Sequence, residues 1–128
     1  MTRYEKGANA ERELIKELYA KGYSVIRAAG SGVTPLPSPD LLALNGRKTL
    51  AFECKAWGST SLTIPHEQFD STMEWCAKAD AEFFIAWKAT GKGWHFLKPE
   101  HFHKNAKSYS VSFKDALAKG IPFSTLVK

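Results

Sequence analysis

Apolar positions along this chain change period several times, and each change marks an element. Over residues 4–21 they recur at helical spacing. On a wheel of about 100° per residue, Tyr4, Gly7, Ala8, Leu14, Ile15 and Leu18 share one face, while Arg12, Glu13, Lys16 and Glu17 point away. Gly22 ends this helix, and YSVIRA (residues 23–28) is a β-branched run that predicts a strand. Residues 29–39 hold two glycines, two serines and three prolines and read as a long loop. PSPDLLALNGRKTLAFECKA (residues 37–56) is two apolar runs joined by Asn45-Gly46, a strong short-range hairpin signal. Pro65 suits the first position of a second helix reaching about residue 79. EFFIAWK (residues 82–88) predicts a buried strand. Thr90-Gly91-Lys92-Gly93 turns into a last strand at residues 94–97. A short segment follows Pro99, and a helix over residues 112–119 opens with Ser112 and Asp115 in capping-box positions. The order α-β-β-β-α-β-β places the chain in the α/β class, a mixed central β-sheet with flanking helices.

Composition narrows the class. With 128 residues, 44% of them hydrophobic, the chain can bury one real core. The polar N-terminus and the lack of a membrane-length apolar run predict neither signal peptide nor transmembrane helix, hence a cytoplasmic protein. Cys54 and Cys76 have no metal-motif spacing and read as reduced thiols. The formal net charge is +5, and most of the excess lies from Lys98 onward, where six lysines oppose only Glu100 and Asp115. Such a balance favours a polyanionic partner, though a lysine-rich solvated surface has the same composition.

Four charges sit where the pattern calls for apolar residues. Glu11 falls at the centre of the first helix's apolar face. A carboxylate there needs an ion pair, hydrogen bonds or a metal, and a rotated helix or a structural salt bridge would serve equally. A two-residue Asn45-Gly46 turn puts Leu44 opposite Arg47, Leu42 opposite Thr49 and Asp40 opposite Ala51. Asp40, Glu53 and Lys55 then leave one sheet face, with Asp40 diagonal to Glu53 at a Cβ separation of about 7 Å. The other face of the second strand, Leu50, Phe52 and Cys54, is ordinary core. If the first helix covers the charged face, Glu11 joins the cluster. Clustered carboxylates are hard oxygen ligands and select Mg²⁺ or Mn²⁺. Such an ion activates water and neutralises charge developing on a phosphate, and Lys55 could orient the attacking water.

Pro39-Asp40, twelve intervening residues and then Glu53-Cys54-Lys55 resemble the PD-(D/E)xK nuclease superfamily, whose fold is restriction-endonuclease-like. KGANAERELIKELYAKGYSVIRAAGS (residues 6–31) is similar to the first helix and strand of archaeal-type Holliday junction resolvases. GWHF (residues 93–96) resembles a late strand of that family. The resemblance covers about residues 3–98, which makes 1–98 the expected nuclease domain and 99–128 a basic C-terminal extension packed on it. It implies a homodimeric, divalent-metal endonuclease that nicks two opposing strands of a four-way DNA junction. It assigns Glu11, Asp40, Glu53 and Lys55 to catalysis, with Ser31 a loop serine near the scissile phosphate. The metal, expected to be Mg²⁺ with Mn²⁺ as a substitute, would be held by Glu11, Asp40, Glu53 and the Cys54 backbone carbonyl. Arg3, Lys6, Arg12, Arg27, Gly30, Ser31 and Gln68 would contact DNA, and Trp75 on the second helix would lie at the dimer interface.

The chain departs from the family pattern in a proline-rich loop, GVTPLPSP (residues 32–39), and in its tail. The tail's lysines could contact DNA arms, or its Val111, Phe113, Ile121, Phe123 and Leu126 could cover a sheet edge or the dimer seam. His95, His101 and His103 lack a fourth ligand for zinc. A restriction-like or flap-directed nuclease, or a non-catalytic DNA-binding module, would share much of this pattern.

Overall fold

The computed structural model of the protein describes residues 2–28 and 36–128. Helix α1 (Arg3–Ala20) opens on Thr2, whose hydroxyl accepts from the Glu5 N–H at 3.1 Å, an N-cap on an otherwise orphan donor. Its Leu14 and Leu18 are fully buried, so the apolar stripe read from the sequence is the packing stripe. Strands β1 (Ser24–Arg27), β2 (Leu41–Leu44) and β3 (Thr49–Trp57) follow. Then come β4 (Ser61–Pro65), helix α2 (His66–Ala79), β5 (Glu82–Ala89) and β6 (Gly93–Leu97). After a 3-10 turn at Pro99–His101 come β7 (His103–Lys104), β8 (Ser108–Ser112), α3 (Phe113–Lys119) and α4 (Phe123–Leu126). The main sheet is mixed, in the order β1-β2-β3-β5-β6, with β3 and β5 parallel and the other neighbours antiparallel.

The hairpin register differs from expectation by two residues. Leu44 pairs with Thr49 and Leu42 with Ala51. The turn is centred on Gly46-Arg47, with φ of +87° at Gly46, the type II′ pattern that asks for glycine at the first central position. Asn45 lies outside it: its N–H donates to the Lys48 carbonyl at 3.2 Å, and its Oδ1 accepts from the N–H groups of Arg47 and Lys48. A two-residue shift preserves which face each side chain takes. It does move Asp40 from a diagonal position to one beside the Phe52–Cys54 stretch, where the Asp40 N–H donates to the Phe52 carbonyl at 2.9 Å.

Two apolar clusters lie on opposite faces of this sheet. One joins Leu14 and Leu18 of α1 to Leu41, Leu50, Phe52, Phe84 and Phe96, with Cys54 against it. The other joins Leu62, Ile64, Phe69, Ile85, Trp87 and Val111, with Trp57 against it. Helix α1 therefore covers the Leu50–Phe52–Cys54 face, not the charged face expected for it. The physical reason is direct: an apolar stripe is buried most favourably against the apolar side of the strand.

A second sheet, ordered β4-β8-β7, was not foreseen as a sheet. Its β4 alternates buried Leu62 and Ile64 with exposed Thr63 and Pro65, a period-two pattern too short to stand out. Strand β8, from the basic tail, is the central strand. The Ser112 hydroxyl accepts from the Asp115 N–H at 3.0 Å to open α3, as the capping-box spacing predicts. Further on, Ile121 forms a bridge to Phe96 at the β6 edge, and Leu126 is buried in the α1-side cluster. Val111, Phe113, Ile121, Phe123 and Leu126 of the tail turn inward while its lysines stay outside. Accordingly Leu126→Ala is expected to lower stability by about 2 kcal/mol in urea melts. Leu117→Ala, on the 62%-exposed leucine of α3, should change it by no more than about 0.5 kcal/mol.

Candidate active site

Strand β3 is longer than its partner on one side. Leu41 of β2 pairs with Phe52 and the ladder then stops, whereas β5 accompanies β3 from Leu50 to Trp57. Residues 53–57 therefore lack β2 as a neighbour along that edge. At the opening the Asp40 side chain takes the place of a missing strand: its Oδ2 accepts from the Cys54 N–H at 2.8 Å. In an extended strand a residue's N–H and C=O leave on the same side, so the Cys54 carbonyl faces the same cleft.

Glu53 projects onto the α2 face and is only 5% exposed. Helix α2 buries Phe69, Thr72 and Cys76, which brings Gln68 of its first turn over the strand. The Gln68 Nε2 donates to Glu53 Oε2 at 2.8 Å, and the Lys55 ammonium lies 3.3 Å from the same oxygen. Burial, reinforced by the charge of Asp40 and opposed by Lys55, pushes the Glu53 carboxyl up to about 7. Burial also raises Asp40, against the opposing Cys54 N–H. The Cys54 thiol is raised too, first by desolvation and then by Asp40, so it stays protonated and inert at neutral pH.

Glu11 reaches this cluster from the opposite face. Its Oε1 accepts from Arg27 Nε at 2.6 Å, at the end of β1, and its side chain is 17% exposed. Its charge adds to the upward pressure on Asp40 and Glu53. Among the described residues no three His, Cys, Asp or Glu side chains converge closely enough to hold an ion by themselves. The structure thus brings Asp40, Glu53, Lys55 and Gln68 together and holds Glu11 alongside in an ion pair. Arg12 sits on the exposed side of α1, its guanidinium donating to Asn9. Trp75 lies half-buried on α2. Gly30, Ser31 and the side chain of Arg3 lie outside the described residues.

The donor set suits a hard divalent cation. Among the described residues Asp40 Oδ1 and Glu53 Oε1 accept no hydrogen bond, and the Cys54 carbonyl faces the same opening. All three donors are oxygens, and a cation would relieve two desolvated, mutually repelling carboxylates. Two contacts around the site had no motif to announce them. Lys6 donates to the Thr90 hydroxyl beyond β5. Glu13 of α1 pairs with Lys88 and accepts from the Trp94 indole N–H at 2.9 Å, which fastens the helix to β5 and β6.

A mixed sheet with flanking helices, carrying this carboxylate–lysine cluster on the longer strand of its hairpin, defines the α/β nuclease fold. The chain belongs to the archaeal Holliday junction resolvase (Hjc) family, whose model matches residues 2–128 and so takes in the tail as well as the stretch carrying the motifs. It is 34% identical to the crossover junction endodeoxyribonuclease Hjc of Archaeoglobus fulgidus, covering 83% of this chain and 78% of that protein. It is 33% identical to the Hjc of Methanocaldococcus jannaschii, covering 85% and 77%. Among solved structures, that of Archaeoglobus fulgidus Hjc, described as a Holliday junction resolvase, superposes with a TM-score of 0.85 over 95% of both chains at 26% identity.

The raised Glu53 carboxyl has a consequence for stability. The folded state binds its proton more tightly than the unfolded chain does, so stability is greatest below about pH 4.5 for this group and falls as pH rises toward about 7. Metal-free protein in a chelator should therefore lose melting temperature across that window, by up to about 3 kcal/mol of stability. Glu53→Gln should flatten the profile, and a wild-type profile already flat between those pH values would contradict the assignment.

Proposed function

We propose that this protein is a divalent-metal-dependent endonuclease that resolves four-way DNA junctions by paired, symmetric nicks. The observation that carries this reading is the unpaired half of β3, where Asp40, Glu53 and Lys55 gather, in a chain that belongs to a family of Holliday junction resolvases. Asp40, Glu53 and the Cys54 carbonyl would hold the cation, expected to be Mg²⁺ with Mn²⁺ able to replace it. Glu11 would join them once separated from Arg27. When bound, the cation supplies an activated water and neutralises charge developing on the phosphate. Asp40 fixes the Cys54 backbone in place through its N–H. Gln68 and Lys55 hold Glu53 Oε2, which orients the other carboxylate oxygen toward the opening. The Lys55 ammonium, 3.3 Å from Glu53 Oε2, would orient a water and stabilise the pentavalent phosphate electrostatically.

Arg12 and Lys6 of α1 and Arg27 of β1 would bind phosphates, as would Arg3, Gly30 and Ser31. Residues 1–98 would carry the chemistry, with the lysines of 99–128 against the junction arms. Paired nicking requires two sites, and a homodimer joined around α2 and Trp75 would provide them, acting in the cytoplasm.

Glu53→Ala is expected to bind a four-way junction with near wild-type affinity while cleavage with Mg²⁺ or Mn²⁺ drops at least about 1000-fold. Gel shift and denaturing-gel mapping would measure the two, with Asp40→Asn prepared identically as a control for contaminating nuclease. Full cleavage by Glu53→Ala would overturn the catalytic assignment. Equal cleavage of junction, flap and plain duplex by wild type would overturn the substrate.

A further inference from the structure

Lys6 differs from Arg27, Lys55 and Lys88 in the kind of partner it has. Arg27 is paired with Glu11, Lys55 with Glu53 and Lys88 with Glu13. The Lys6 ammonium instead donates to a neutral acceptor, the Thr90 hydroxyl, and among the described residues no carboxylate pairs with it. An ammonium has three donors, and Thr90 takes one. A half-buried, oriented cation with unspent donors and no counter-charge is suited to an anion.

The backbone beside it is shaped for this contact. Gly58, just beyond β3, has no positive φ that would demand glycine. Space is what demands it: a Cβ built there would lie 2.7 Å from Thr90 Oγ1 and 3.8 Å from Lys6 Nζ. Gly58 and Thr90 both follow the carboxyl ends of β3 and β5, the parallel pair of the main sheet. Ligands of open α/β sheets bind beyond such ends. Gly58 lies three residues past Lys55, about 10 Å along an extended strand. Neighbouring phosphates of one DNA strand are farther apart than the axial rise per nucleotide, so that distance spans about one to two of them.

We propose that Lys6, Thr90 and Gly58 form an anchoring site for a backbone phosphate of the strand that lies in the catalytic cleft, about one to two phosphates from the cut. Thr90 is a positioning residue that aims the Lys6 ammonium, and Gly58 leaves the gap that lets Thr90 stand there. The inference rests on the reading of the protein as a junction nuclease and adds to it where along the strand Lys6 binds and which residue aims it.

The test compares wild type with Lys6→Met, Thr90→Val, Thr90→Ser and Gly58→Ala. It measures binding of a four-way junction across a salt series and steady-state cleavage of the same junction. Lys6→Met should lower the slope of log affinity against log salt by about 1. Thr90→Val and Gly58→Ala should each weaken binding roughly five-fold and raise KM more than they lower kcat, with melting temperatures near wild type. Thr90→Ser, which keeps the hydroxyl, should restore wild-type values. Adding Thr90→Val to Lys6→Met should have no further effect. The proposal is overturned if Thr90→Val binds and cuts like wild type, if Thr90→Ser is as impaired as Thr90→Val, or if Thr90→Val weakens the Lys6→Met protein as much as it weakens wild type. Should wild type cut duplex DNA and ignore junctions, the junction reading fails, and the same salt slopes measured on duplex still decide the phosphate site.

Discussion

The hydrogen bond from the Cys54 N–H to Asp40 Oδ2 holds the site in place. Strand β2 stops pairing with β3 at Leu41, and without a substitute the edge of β3 would present an orphan donor. A carboxylate fills that role, and the consequence is chemical as well as structural. It draws Asp40 against Glu53, desolvates both and leaves one oxygen of each unbonded among the described residues. The cleft exists because one strand is shorter than its neighbour, and it is acidic because the residue at the break is an aspartate.

Everything else converges on that break from two sides. The apolar stripe of α1 packs on the Phe52 face, which carries Glu11, Lys6 and Glu13 to Arg27, Thr90 and Lys88 around the rim. On the other face α2 delivers Gln68 to Glu53. The ion pairs around the rim are partly exposed and each contributes little to stability. Their effect is geometric, since they fix the direction of charges that would otherwise swing freely.

Much of this was legible along the chain. The helix stripe, the hairpin, the second helix after Pro65, the strand at 82–88 and the Ser112 cap are all where local pattern places them. Asp40, Glu53 and Lys55 stood out as charges in apolar strands. The face taken by α1 did not, because periodicity shows which side of a helix is apolar and not which sheet face it meets. The turn shifted by one residue at each end because Asn45 uses its side chain to cap the turn instead of entering it, a choice decided by competing hydrogen bonds. Strands β7 and β8 escaped notice because a two-residue strand and a serine-rich one have almost no pattern of their own. β8 forms because β4 offers it an edge, and β7 then pairs with β8.

The sequence by itself determined the elements and the identities of the charged residues, since propensity, turn chemistry and alternation act over a few neighbours. It also determined that Asp40, Glu53 and Lys55 share a face, because strand parity survives a two-residue error in register. Tertiary structure alone decided that β2 ends short of β3, that Glu11 arrives from the far side bound to Arg27, and that Gln68 touches Glu53. It alone set Lys6 on Thr90 across Gly58. These contacts join residues distant in sequence, and they depend on how sheet, helices and strand ends are stacked, which no local pattern encodes.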